Sequence, residues 1–202
     1  MDEKQKANAG GLSWANPAVF LDRDGVLNRE IGRHIVEASH LEMVPDAGAA
    51  VARLNEAGYM TVIVTNQSAI GRGLISEFSL RDLHSQLIGD IGRAGGRIDA
   101  VYYCPHHPTE ARVEEYGVTC ECRKPAPGML MSAASDLNLN LEASFIVGDS
   151  ERDIVAGKNA GCRTILINAS DDKRCGADHV ANTLTGAVDW ILGKFVTPGR
   201  GT

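Results

Sequence analysis

No stretch of this 202-residue chain is apolar for long enough to cross a membrane. Residues 1–16 contain Lys4 and Lys6 but no apolar core of a signal peptide, so no secretory leader is expected. Surplus positive charge is also missing. Twenty Lys and Arg stand against 26 Asp and Glu, a net charge of −6, which argues against a general nucleic-acid surface. Any charge that binds an anion must then be local. There is no internal repeat and no interdomain linker. The five cysteines do not form the framework of a disulfide-stapled protein; three cluster between 104 and 122, a pattern that suggests a metal site. From these absences a single cytoplasmic domain that binds neither membrane nor nucleic acid is expected. Its 44% hydrophobic and 23% charged content is ordinary for a globular fold. Residues 17–193 are expected to form that domain, between an N-terminal arm (1–16) and a C-terminal tail (194–202).

The most informative segment reads Val19-Phe20-Leu21-Asp22-Arg23-Asp24-Gly25. An apolar strand runs straight into two aspartates, and Gly25 breaks it. Residues i and i+2 of an extended chain point to the same side, and open α/β sheets place their ligands at the carboxyl ends of strands. Two such close carboxylates are costly unless one stays protonated or a cation joins them. A hard divalent ion, Mg²⁺, resolves the conflict with oxygen ligands. The plainer alternative is a turn with solvated carboxylates.

Apolar runs at 18–21, 60–64, 99–103, 144–148 and 163–167 predict strands. Helical periodicity predicts helices from Pro45-Asp46 to Gly58, from Ser76 or Ser79 to about Arg93, after Pro127 to Leu137, and from Glu151 to Ala160. The alternation implies βαβ units: a doubly wound, Rossmann-like α/β sandwich with a mostly parallel sheet. Two further strand ends and one helix start carry polar groups: Thr65-Asn66 after the second strand, Asp149 with Asp153 after the fourth strand, and Arg123-Lys124 before a helix.

The ordered set Asp22-Arg23-Asp24-Gly25, Thr65-Asn66, Lys124 and Gly148-Asp149…Asp153 resembles the haloacid dehalogenase superfamily of phosphatases over roughly residues 17–190. Within it, the segments around FLDRDGVLN, VTNQSAIGRG, YYCPHHP and CECRKPAPGM look like the heptose-bisphosphate phosphatase branch, with the histidinol-phosphate branch next to it. The resemblance implies Asp22 as nucleophile, Asp24 as acid/base, and phosphate contacts from Thr65, Asn66 and Lys124. Mg²⁺ would be held by Asp22, Asp149 and the backbone carbonyl of Asp24. Gln67, Ser68 and Arg123 would face the substrate, a small phosphorylated sugar, and the enzyme is expected to be a monomer. Asp153 is left between a contact to metal-bound water and a first-turn acid favoured by the helix dipole. Arg72 is given no role.

Cys104-x-His106 and Cys120-x-Cys122, thirteen residues apart, offer three thiolates and an imidazole, a structural zinc set. The alternative is a group of buried reduced thiols. His107 is a rival ligand, and the family pattern selects His106. About forty residues separate Asp24 from Thr65 and about sixty separate Thr65 from Lys124. A helix, or a helix, a strand and the Cys-rich loop, fill these gaps, so a capless member is expected. Its selectivity would then come from loops. Arg33 replaces an aromatic residue frequent in the heptose branch, and Ser150 a lysine found in some members; both bear on contacts to the sugar or a second phosphate. Two other readings remain: the same chemistry on histidinol phosphate or another small sugar phosphate, and a non-catalytic phospho-ligand or zinc-scaffold module.

Overall fold

A computed structural model describes residues 15–167 and 175–193. Six parallel strands form one sheet: β1 (Ala18–Leu21), β2 (Met60–Asn66), β3 (Ala100–Cys104), β4 (Phe145–Gly148), β5 (Arg163–Ile167) and β6 (His179–Ala181). Their order is β3-β2-β1-β4-β5-β6. The chain winds one way from β1 through β2 to β3, then crosses back to β4. The switch point therefore lies between β1 and β4, where Leu21 pairs with Val147. A ligand crevice belongs at the carboxyl ends of these two strands.

Five helices cover the faces: α1 (Ala47–Glu56), α2 (Glu77–Arg93), α3 (Gly128–Leu137), α4 (Glu151–Ala160) and α5 (Leu184–Ile191). Strand alternation divides the core. Val19 and Leu21 pack with α1, α2 and α5, while Ala18 and Phe20 pack with α3 and α4. All four are fully buried, as the centre of a three-layer sandwich requires. The four helices read from periodicity are present, with Ser76 capping α2 through the Ser79 N–H and Gly161 closing α4. β2 runs two residues beyond its apolar stretch, carrying Thr65 and Asn66 into the sheet. Strand β6 and helix α5 were not foreseen. A three-residue strand leaves almost no periodic signal, whereas α5 carries both a Thr183 cap and a helical apolar stripe of Leu184, Ala187, Val188 and Ile191.

Between β1 and β2 the chain makes a loop with one 3-10 turn (Ala38–His40) and α1, and between β2 and β3 a loop and α2. Among the described residues no cap domain sits above the strand ends, as expected. Among the described residues no helix is long and apolar enough to span a membrane. Most of the expected N-terminal arm (1–14) and all of the C-terminal tail (194–202) lie outside the described residues.

Helix α4 lies close on β4 because Gly157 has no side chain. A Cβ there would come within 2.2 Å of Ile146 Cγ2 and 2.9 Å of Thr164 Cγ2. Replacing a helical glycine with alanine ordinarily gains up to about 1 kcal/mol, whereas overpacking a tight core costs about 1–3 kcal/mol. Packing should win: Gly157→Ala is expected to lower stability by about 1–2 kcal/mol in urea unfolding.

Candidate active site

Asp22 leaves the end of β1 almost wholly buried, and its Oδ1 accepts the Arg23 backbone N–H at 2.7 Å. Lys124, 2% exposed, reaches it from the loop before α3. The Lys124 ammonium lies 3.0 Å from Asp22 Oδ1 and 2.5 Å from Asp153 Oδ1, and donates to the Val64 carbonyl at 2.8 Å. Burial opposes its charge, but the two carboxylates outweigh that and hold its pKa above the ordinary lysine value. Asp153 falls below the usual carboxylate range because Lys124 more than offsets its burial. Asp22 is less well compensated. Burial, helped by the Asp153 and Asp24 charges, pushes it up to about 7.

Asp149 follows β4, and its carboxylate lies with those of Asp22 and Asp153 in one group whose ligand oxygens are all within 4.8 Å. Burial, then the Asp153 charge, raises it to about 6. Three carboxylates thus face one ammonium, and with all ionised two negative charges stay uncompensated. An all-oxygen donor set with that deficit fits a hard divalent cation. The chain makes room for it: Gly25 has φ of 79°, and a Cβ there would lie 2.0 Å from Asp149 Oδ2.

Asp153 takes the place of the first-turn acid of α4. Its Oδ2 accepts from the Ser150 N–H at 3.2 Å and from the Ser150 hydroxyl, closing a capping box at the start of α4. Its Oδ1 faces Lys124. Both oxygens are committed, so Asp153 anchors the lysine.

Asp24 turns its carboxylate away from this group. Both oxygens lie in the fork of Arg23, with Nε at 3.1 Å and Nη2 at 2.9 Å from Oδ1, and Nη2 at 2.9 Å from Oδ2. Asn28 donates to Oδ1 and Gln67 to Oδ2, each at 3.0 Å. Burial would raise the Asp24 pKa, but Arg23 and these hydrogen bonds bring it below the ordinary value. Arg23 is itself 1% exposed, and its Nη1 lies 3.4 Å from Nε2 of His84 on α2.

Thr65, Asn66, Gln67, Ser68 and Arg123 line the same cavity of about 390 Å³ as Asp22 and Asp24. Two of them are engaged otherwise than expected. The Asn66 amide, read as a phosphate donor, clasps the backbone of Lys124: Nδ2 donates to its carbonyl at 3.0 Å and Oδ1 accepts its N–H at 3.1 Å. Gln67, read as facing the substrate, is buried and bridges Asp24 to the Thr65 hydroxyl, donating at 2.8 Å. Arg33 and Arg152 also line the cavity, beside Glu30 and His34. Arg23, His84 and Arg152 were not singled out as functional residues from the sequence. Alternation along an extended chain would turn Arg23 away from both aspartates, but β1 ends at Leu21 and Arg23 folds back onto Asp24.

The Cys-rich loop joins β3 to α3. Its four expected ligands come together, with Sγ of Cys104 3.5 Å from His106 Nδ1 and 3.6 Å from Cys120 Sγ. Cys122 Sγ is 3.3 Å from His106 Nδ1 and 3.2 Å from Cys120 Sγ. Metal–ligand bonds of about 2.0–2.3 Å in a tetrahedron give edges of roughly 3.3–3.8 Å, so the set fits zinc. Burial raises the Cys104 and Cys122 thiols, a conflict that a coordinated cation reverses. His107 points elsewhere, to Glu110. Arg123 Nη1 donates to the His106 carbonyl at 3.0 Å, tying the loop to the cavity.

The chain is also similar to known proteins. The HAD-hydrolase-like family model matches residues 121–187. The chain is 43% identical to the D-glycero-beta-D-manno-heptose-1,7-bisphosphate 7-phosphatase of Rhodopseudomonas palustris over 72% of its own length and 79% of the relative. It is 38% identical to the Yersinia pestis protein of the same name, over 91% and 94%. The fold matches the crystal structure of the D,D-heptose 1,7-bisphosphate phosphatase from B. bronchiseptica complexed with magnesium and phosphate. That match has a TM-score of 0.78 and 30% identity, covering 89% of this chain and 99% of the other.

His84 gives the site a defined acid response. Burial, then the Arg23 charge, lowers its pKa from 6.5 to about 4. A depressed histidine is protonated first in the unfolded chain, so its contribution is present above about pH 6.5 and is lost as pH falls toward about 4. His84→Gln should remove that loss. Between these limits the variant is expected to lose about 2–3 kcal/mol less stability than the parent, measured by urea unfolding across the pH range.

Proposed function

The chain belongs to the haloacid dehalogenase-like D-glycero-D-manno-heptose 1,7-bisphosphate 7-phosphatases, and from that premise we propose that it removes the C7 phosphate of this sugar through an aspartyl-phosphate. The observation that carries the chemistry is the pairing of Asp22, held 3.0 Å from Lys124, with a separately gripped Asp24 in the same cavity.

Asp22 attacks the phosphorus, and the bond from phosphorus to the C7 oxygen breaks with its electron pair on that oxygen. Asp24 gives the oxygen a proton, then takes one from the water that attacks the phosphoryl group in the second step. Asp22 is regenerated and inorganic phosphate leaves. Lys124 offsets negative charge on Asp22 and on the transferred group, and the Thr65 hydroxyl and Ser68 orient phosphoryl oxygens. Asn66 and Gln67 act one step back, fixing Lys124 and Asp24. Magnesium, held by the carboxylates of Asp22 and Asp149 and the Asp24 carbonyl, would lower the repulsion between nucleophile and phosphate. Zinc, held by Cys104, His106, Cys120 and Cys122, would fix the loop that carries Arg123 and Lys124.

The preference for a bisphosphate rests on the cavity rim. Arg123 is anchored on the zinc loop, while Arg33 and Arg152 line the cavity with no salt bridge or hydrogen-bond partner among the described residues. Uncommitted guanidiniums suit a second, untransferred phosphate. The reading extends to a monomer in the cytoplasm, where thiolates stay reduced.

The test is phosphate release from both anomers of heptose 1,7-bisphosphate, histidinol phosphate and simple sugar phosphates. One heptose anomer should have the highest kcat/KM, and Asp22→Asn should abolish turnover. Faster hydrolysis of histidinol phosphate would remove the substrate assignment. Phosphate trapped on another residue in quenched samples would remove the nucleophile.

Zinc content is a separate expectation. Protein purified without chelator should contain about one zinc per chain by elemental analysis. Cys120→Ser should lower zinc content and weaken selection for the bisphosphate over a small phosphate ester.

A further inference from the structure

Residues 29–34 form an exposed arch on the cavity rim, between the buried side chains of Asn28 and Ile35. Glu30, Gly32, Arg33 and His34 of this arch line the cavity. Its foot is tied by Arg29, whose N–H donates to the Glu42 carbonyl at 2.8 Å. Over residues 30–34 the one hydrogen bond among the described residues is internal: the Gly32 N–H donates to Glu30 Oε1 at 2.7 Å. Gly32 has φ of 70°, in the left-handed region, so the chain turns there and the direction of the next side chain, Arg33, follows from that turn. Glu30 is otherwise out of place. It puts a carboxylate on the wall of a cavity that must admit phosphate, and its charge is felt by Asp149 and His34. The rim guanidiniums also differ. Arg123 is tied to the His106 carbonyl, and the charge of Arg152 acts on Asp149 and Asp153. Arg33 has no salt bridge or hydrogen-bond partner among the described residues.

We propose that Glu30 is a positioning residue for selectivity: by accepting from Gly32 it shapes the turn that presents Arg33 to the untransferred phosphate of a sugar bisphosphate. The inference deepens the reading of the chain as a bisphosphate phosphatase and rests on it. Glu30 acts as an acceptor, while its charge only opposes the ligand. An arch held at one point loses its shape when that point is released. Arg33 then spreads over many positions, and ordering it again weakens binding.

The test compares kcat/KM on heptose 1,7-bisphosphate, in the anomer the parent prefers, with kcat/KM on heptose 7-phosphate, both at saturating Mg²⁺. The two esters share the transferred phosphate and differ in the other, so the ratio isolates recognition of the second phosphate. The parent should favour the bisphosphate. Arg33→Gln removes the charge, and should lower the ratio about tenfold, as the loss of a charge-assisted contact implies. Glu30→Ala releases the turn and should lower the ratio about threefold or more. Glu30→Gln keeps an acceptor oxygen for the Gly32 N–H and drops the opposing charge, so its ratio should equal or exceed the parent's. In the double variant, Arg33→Gln with Glu30→Ala, the ratio should fall no further than in Arg33→Gln alone.

A Glu30→Gln ratio as low as that of Glu30→Ala would mean that Glu30 works through its charge or its own contact with the substrate. Losses that add in the double variant would mean that Glu30 acts apart from Arg33. Either result overturns the inference, as does an Arg33→Gln or Glu30→Ala ratio equal to the parent's. In each of these cases a parent that prefers the bisphosphate leaves the substrate reading standing. A parent that hydrolyses heptose 7-phosphate as well as the bisphosphate removes that reading, and the inference falls with it.

Discussion

One buried ammonium holds this site together. Three acids gather where β1 and β4 end, and the ammonium of Lys124, fully enclosed, pairs with two of them. Removing one partner of such a buried set strands an uncompensated charge, at a cost of about 3–5 kcal/mol. The surrounding structure serves that constraint. Asn66 grips the Lys124 backbone on both sides, the Val64 carbonyl takes one of its protons, and Asp153 is steadied by the Ser150 cap. Even so, one lysine cannot neutralise three carboxylates. The remaining deficit keeps Asp22 and Asp149 raised and gives the site its demand for a divalent ion.

Lys124 arrives at the end of a loop with little apolar content, so the loop must be held by other means. Its four metal-ligand groups form one clamp. A second is Glu77 at the start of α2, which accepts from Tyr103 on β3 at 3.2 Å and from Tyr116 in the loop at 3.0 Å. A third is the backbone contact from Gly71 N–H to the Pro105 carbonyl at 3.1 Å, where a Cβ on Gly71 would lie 2.7 Å from that oxygen. Glu77 and Gly71 belong to the β2–α2 region, which also supplies Thr65, Gln67 and Ser68. The loop and the phosphate-facing segment are thus braced against each other, and Arg123 bonded to the His106 carbonyl extends the brace to the cavity wall.

What was legible in the sequence was whatever follows strand periodicity. Asp22, Asp149 and Thr65 end apolar runs, and a parallel sheet brings such ends to one edge. The zinc set was legible because thiol and imidazole spacing carries its own chemistry. Connections made through side chains were not legible. Asn66 turned to backbone and Gln67 to Asp24 because a buried carboxylate and a buried lysine needed partners more than the cavity needed donors. His84 lies on a helix whose stripe reads Leu80, Leu83, Leu87 and Ile91, a pattern that gives a histidine no visible purpose. Its meaning appears only once α2 is laid over Arg23.

The site thus divides into two zones with different physics. The acids, Lys124 and Arg23 are enclosed, where charges act strongly on one another and each must be matched. Arg33 and Arg152 stand exposed at the rim, where water weakens a charge but leaves it free to meet a ligand. Hydrolysis depends on the first zone, and its groups are fixed before any substrate arrives. Recognition falls to the second, on the β1–α1 loop and the first turn of α4, with no cap domain to close over it. A substitution at the rim can therefore change which phosphorylated sugar is preferred without disturbing the buried charge balance. A substitution inside the first zone alters stability and turnover together, because the same ion pairs carry both.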